Sequence, residues 1–150
     1  MKSKEEIEAE LAGFYGTEQY HRFSGLFRKH VCTDGVKFLC DSCQSWWLLD
    51  VIASYHAKCM KDPKGMLQDM QFWTLTVHPK IEVETGGRVL FQQLPKGKPK
   101  PMATVICERD TGDIAIKQKI PYTNFPLPEI KLYCSRADEN LFVIMLPSEY

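Results

Sequence analysis

Gln71-Phe72-Trp73-Thr74-Leu75-Thr76-Val77 is the stretch on which the fold class turns. Trp73, Leu75 and Val77 alternate with Phe72, Thr74 and Thr76. A period of two puts the first set on one side of an extended strand and the second set on the other. Downstream the same habit continues. Ile81 to Glu84 and Arg88 to Phe91 flank Thr85-Gly86-Gly87, a hairpin turn. Ala103–Arg109 and Asp113–Ile120 flank Asp110-Thr111-Gly112, a second hairpin. In the later strand of that pair, Ile114, Ile116 and Ile120 are expected on one face and Lys117 and Lys119 on the other, so one face is buried and one is wet. Ile130–Cys134 and Leu141–Leu146 read as a final strand pair joined by the charged loop 135–140. Tyr122-Thr123-Asn124-Phe125-Pro126-Leu127-Pro128 is excluded from a central strand, because its prolines lack N–H donors.

Upstream of residue 71 the period lengthens. Ser3 followed by Glu6 fits a capping box, and Ile7, Leu11 and Phe14 recur at helical spacing until Gly13 and Gly16. The strongest helix is expected over 45–60. There Trp47, Leu48, Val51, Ile52, Tyr55 and Cys59 form one stripe, Ser42 or Ser45 can cap, and Pro63 and Gly65 close. Asp50 lies off that stripe and is expected in solvent. Thr33-Asp34-Gly35 reads as a turn, and Val36–Leu39 as a short strand or the entry to a helix. Helices first and strands second is the α+β order: N-terminal helices packed on a mostly antiparallel β-sheet formed by the C-terminal half, in one domain spanning 1–150.

Composition agrees with that size and narrows the function. The chain has 150 residues, 44% hydrophobic and 25% charged, an ordinary globular mixture. No stretch approaches the ~20 apolar residues that span a bilayer, and the N-terminus lacks the apolar core of a signal peptide. The expected location is the cytoplasm of a bacterial host. Nineteen basic and nineteen acidic residues cancel, which argues against the broad positive field of a dedicated nucleic-acid binder.

Phe14-Tyr15-Gly16-Thr17-Glu18, Thr33-Asp34-Gly35-Val36, Trp47-Leu48-Leu49-Asp50-Val51-Ile52-Ala53, Tyr122-Thr123-Asn124-Phe125-Pro126-Leu127 and Leu146-Pro147-Ser148-Glu149-Tyr150 together resemble an uncharacterised family of small bacterial and phage proteins, a domain of unknown function. The resemblance covers most of the chain, and the terminal Leu-Pro-Ser-Glu-Tyr is its most specific piece. It implies a stand-alone domain, often carried by phage or mobile-element genomes, and brings no activity, cofactor or catalytic residue. Two departures stand out: the segment around 78–100 is longer than the family pattern, and Cys40-x-x-Cys43 falls where that pattern has no cysteines.

Three groups of residues can carry chemistry. Cys40 and Cys43, with Cys32, Cys59 or His30, offer soft donors for a zinc ion. The plainer alternative is buried thiols packing near a helix start, and a thioredoxin-like redox pair lacks the βαβ setting. Thr17, Glu18, Tyr20, His21 and Arg22, with Asp34, offer an imidazole and carboxylates for binding or proton transfer; the plainer alternative is a hydrogen-bonded turn. Lys96, Lys98 and Lys100, with Lys117 and Lys119, offer phosphate contacts, to which Tyr122 or Phe125 can add stacking; the alternative is a solvated loop and a charged outer sheet face. Trp46, beside the helical stripe, is expected to be partly exposed and suited to a protein partner.

The leading expectation is a small non-enzymatic binding protein, phage or mobile-element encoded, that occupies a host or defence protein. A zinc-stabilised nucleic-acid-binding domain and a small-ligand enzyme using Glu18, His21 and Asp34 are the alternatives. No membrane partner and no cofactor are expected, with zinc the one alternative.

Overall fold

A computed structural model describes residues 2–78, 83–85, 88–90 and 102–150. The fold is α+β. Helices α1 (Lys4–Leu11), α2 (Asp34–Cys43), α3 (Trp46–Ser54) and α4 (His56–Met60) come from the N-terminal part, with one short strand, β1 (His30–Cys32), among them. Strands β2 (Met70–Val77), β3 (Val83–Thr85), β4 (Arg88–Leu90), β5 (Ala103–Glu108), β6 (Ile114–Ile120), β7 (Glu129–Asp138) and β8 (Leu141–Met145) follow. A one-turn 3-10 helix, Pro147–Glu149, comes last.

Six strands form a sheet in the order β1-β8-β7-β2-β5-β6, and β3 and β4 pair separately. All neighbours in the large sheet are antiparallel except β1 and β8, where His30, Val31 and Cys32 run parallel to Phe142, Val143 and Ile144. The alternation of the opening stretch is realised: Trp73 and Leu75 are buried between Leu132 and Ile130 of β7 and Cys107 and Val105 of β5. The helices supply Ile7, Val36, Leu39, Leu48, Leu49, Ile52 and Cys59 to the same core. Full burial of an aromatic such as Trp73 contributes on the order of 2–3 kcal/mol. Its indole N–H donates to Gln71 Oε1 (2.8 Å), and Gln71 Nε2 donates to Leu67 O (3.1 Å), so this buried polar pair leaves no donor stranded. On the opposite face a smaller cluster of Val31, Val143 and Met145 packs with Tyr133 and Leu141.

Several expectations change in detail. The helix over 45–60 is two helices, broken at Tyr55. Asp50 is exposed, as expected, and Leu49, outside the proposed stripe, is fully buried. Thr33-Asp34-Gly35 is not a free turn but a helix start: Thr33 Oγ1 accepts from the Val36 amide (3.4 Å), which makes Thr33 the N-cap of α2. The loop 135–140 is mostly strand, with a register shift between Arg136 and Asp138. Ile114 is exposed rather than facing the core with Ile116 and Ile120. An irregularity between Cys107 and Glu108 resets the alternation there and pairs Ile114 with Glu108. The hairpin around Gly86-Gly87 has its strands at 83–85 and 88–90, while the glycines themselves lie outside the described residues.

Candidate functional site

Strand β1 is short and lies at one end of the large sheet, yet its far side is not free. His21 N–H donates to Cys32 O and Cys32 N–H donates to His21 O, both at 2.8 Å, an antiparallel bridge that lays the 17–22 segment along β1. Two residues after Cys32 comes Asp34 in the first turn of α2, so backbone pairing delivers the His21 ring to the Asp34 carboxylate. His21 Nε2 and Asp34 Oδ1 are 2.7 Å apart. The other carboxylate oxygen accepts from the Glu18 amide (3.0 Å). Thr17 Oγ1 accepts from the Asp34 amide (2.9 Å) and donates to Gln19 O (2.6 Å). The His21 contact, then the Glu18 amide, hold the Asp34 carboxyl below its ordinary range.

A second carboxylate, from the end of the chain, meets the same helix start. Thr33 Oγ1 donates to Glu149 Oε1 (2.5 Å), the Gly35 amide donates to Glu149 Oε2 (3.1 Å), and the Leu146 amide also reaches Glu149 Oε1 (3.0 Å). Two acids therefore sit at the positive end of α2, whose first amides are met by Thr17 Oγ1, Glu149 and Thr33 Oγ1. Gly35 permits this closeness. A Cβ there would lie 2.6 Å from Leu146 Cδ1 and 2.7 Å from Glu149 Oε1.

Above this clasp Tyr20, His21, Arg22, Phe23, Lys37 and Trp46 line an open hollow of about 560 Å3. Tyr20 is half exposed, and Trp46 and Phe23 are half-buried. The Trp46 indole donates to Asp41 (3.2 Å), and Lys37 approaches the same carboxylate at 3.7 Å. Arg22 donates to the backbone oxygen of Arg28, which fixes the outer wall. The hollow thus offers three aromatic faces, two cations and an imidazole.

The residues singled out in the sequence divide as follows. Tyr20, His21, Arg22 and Trp46 come together in the hollow. Thr17 and Asp34 lie beneath it, and Glu18 joins through its amide while its side chain is exposed. Phe23 was missed although it directly follows Arg22, and Lys37 was missed because nothing in the sequence links residue 37 to residue 22. Glu149 was missed as a helix-capping acid for the same reason. Lys96, Lys98 and Lys100 lie outside the described residues. Lys117 and Lys119 are exposed on the sheet face away from the helices, Tyr122 is exposed, and Phe125 is a core residue rather than a stacking platform.

The thiols are inward. Cys32, Cys40, Cys43, Cys59, Cys107 and Cys134 are all free and buried. Among the described residues no group of three or more His, Cys, Asp or Glu side chains is placed to hold a metal ion. Burial pushes the Cys32 thiol up to about 12 and Cys43 up to about 11, and raises Cys40 as well, so these groups stay protonated. Cys59 contacts Cys107 instead, and that hydrogen bond, with burial, raises the Cys107 thiol.

The network at the start of α2 joins three of the stretches that carried the family resemblance: Thr17-Glu18, Thr33–Val36 and Leu146–Glu149. A family model matches residues 5–150. The chain belongs to the family of unknown function DUF6876. No match is found among curated proteins or solved structures. In this DUF6876 chain those three stretches thus have an architectural role: they close the start of α2 with Thr17, Thr33 and Glu149, and the hollow is built on that support. Among the described residues no helix is long and apolar enough to cross a membrane.

Proposed function

We propose that this chain is a binding module that occupies the surface of a partner protein, and that the hollow around Tyr20, Phe23 and Trp46 is its contact site. The observation that carries the reading is the hollow itself. Tryptophan, tyrosine and arginine are the side chains that dominate protein contacts, and here Trp46, Tyr20 and Arg22 are gathered around one concavity with Lys37. The cations favour a partner segment that combines acidic and apolar side chains. The resemblance to phage-borne proteins favours a host or defence protein as that partner. The test is affinity capture from host lysates, comparing the wild type with Trp46→Ala and with Tyr122→Ala, an exposed aromatic outside the hollow. A partner enriched by the wild type and by Tyr122→Ala, and reduced at least tenfold by Trp46→Ala, is expected. Equal capture by both variants, or no enriched protein from any host, sinks the reading.

A second reading has one observation behind it: the 2.7 Å contact of His21 with Asp34, an arrangement able to move a proton on a ligand in the hollow. Following the mass of the captured partner over time separates the two. An unchanged mass leaves binding; a modification lost in His21→Asn assigns the pair to catalysis.

A further inference from the structure

On the other side of the 17–32 segment lies a second concavity that the reading above does not use. Leu26, Phe27, Arg28, Lys29, His30, Ala53 and His56 line this open concavity of about 260 Å3. A cavity of about 150 Å3 already accommodates benzene, so the space suits a small organic molecule. Two imidazoles form its floor. His30 is 2% exposed, stacks on Phe142 at 5.5 Å and meets the His56 ring edge-on at 5.1 Å. His56 in turn stands edge-on to Phe142 at 4.7 Å, and its Nδ1 is buried without a hydrogen-bond partner. A buried imidazole nitrogen is costly to leave unbonded, and in native proteins such an atom is met by water, an ion or a ligand.

The charges around the rings decide what that ligand is. Lys29 acts on both imidazoles, and Arg136, which lies over the Phe142 ring at 5.5 Å, acts on His56. Arg28 adds a third cation at the rim. A metal cation is disfavoured by those neighbours, and the described residues supply no third donor. An anion is favoured by all of them. Leu26, Phe27 and Ala53 give the rest of the wall an apolar character, and Leu26 is 82% exposed at the mouth.

We propose that this cavity binds a small carboxylate with a short apolar or aromatic body, the carboxylate taking hydrogen bonds from His56 and His30 beside Lys29 and the body lying against Leu26, Phe27 and Ala53. Both imidazoles are held neutral, His30 at about 4 by burial, then His56 and Lys29, and His56 lowered by burial, then Lys29 and Arg136. An anion favours their protonated forms, so binding takes up a proton and tightens as pH falls from 7 to 5.5.

The experiment uses the full chain labelled at histidine and titrated with benzoate, hexanoate, benzyl alcohol and inorganic phosphate, with the His30 and His56 ring signals followed by NMR. Saturable shifts are expected with benzoate or hexanoate below 10 mM, at least fivefold tighter at pH 5.5 than at pH 7. Benzyl alcohol, which keeps the ring and lacks the charge, is expected to bind at least tenfold more weakly. His56→Phe, which preserves the ring shape, is expected to weaken binding at least tenfold, and Lys29→Ala, an exposed change that leaves the fold intact, about threefold. Absence of saturable shifts with both carboxylates overturns the proposal. So does binding that Lys29→Ala and His56→Phe leave unchanged, or saturation by phosphate as tight as that by benzoate.

Discussion

Gly35 illustrates how a single missing atom positions a site. Any side chain there would press on Leu146 and on the carboxylate of Glu149, which is already fixed by Thr33 and the Leu146 amide. Gly35→Ala is expected to lower stability by about 1–3 kcal/mol, the usual cost of overpacking, read by chemical denaturation. A variant as stable as the wild type would mean that Glu149 does not hold this position. His30 gives a pH signature. Its ring is held at about 4 against an ordinary 6.5, so the unfolded chain takes up a proton first as pH drops. The sign follows: stability is full above pH 6.5, falls between 6.5 and 4, and is level again below, a loss of about 2 kcal/mol after allowance for solvent screening. Denaturation at pH 7, 5.5 and 4.5 measures the slope, and His30→Phe is expected to flatten most of it.

At the scale of elements, the end of α2 is the most informative. Gln44 takes a left-handed conformation (φ 50°), and the Ser45 amide donates to Cys40 O (3.0 Å), the six-to-one bond of a Schellman ending. Gln44 is exposed, so Gln44→Gly relieves the backbone and loses little else. It is expected to raise stability by about 0.5–1 kcal/mol, and a thermal melt with an unchanged or lower midpoint would contradict the assignment. The same element shows where sequence reading works and fails. Strands β2, β5 and β6 were legible because each buries one face, so their pattern repeats every second residue. The start of helix α2 was read as a turn because Thr33-Asp34-Gly35 is written in residues that serve turns and N-caps equally, and of the two readings of Val36–Leu39, short strand or helix entry, the helix holds. Strand β1 was invisible: three buried residues have no period. The break at Tyr55 was hidden because α3 and α4 bury much of the same stripe.

Across the whole molecule, Asp62 ties the segment after α4 to the β5–β6 hairpin. Its side chain is fully buried and accepts from the amides of Lys64 (3.3 Å), Met66 (3.0 Å) and Leu67 (3.0 Å) and from Arg109 Nε (2.8 Å). Burial alone would raise its pKa, but the Leu67 amide, Arg109 and the other two amides outweigh it and hold the group at about 2. Its contribution is therefore present above pH 3.8 and lost as pH falls through 2, clear of the window assigned to His30. Asp62→Asn leaves Arg109 with a weakened partner and is expected to lower the melting temperature by roughly 5–10 °C. An unchanged midpoint would show that the pair carries no stability. None of this was legible in advance, since Asp62 and Arg109 are ordinary surface residues by type. The hollow was half legible: its 20–23 wall is contiguous in sequence, whereas Lys37 and Trp46 arrive from α2 and α3.

Strand β1 finds its partner only in β8, and Thr33 finds Glu149 at a separation of 116 residues. A ribosome delivers those partners long after β1 and the start of α2. Until residues 141–149 emerge, the pairing of His30–Cys32 with β8 and the contact of Thr33 with Glu149 wait unmade, and over that interval the nascent polypeptide is open to chaperones and proteases.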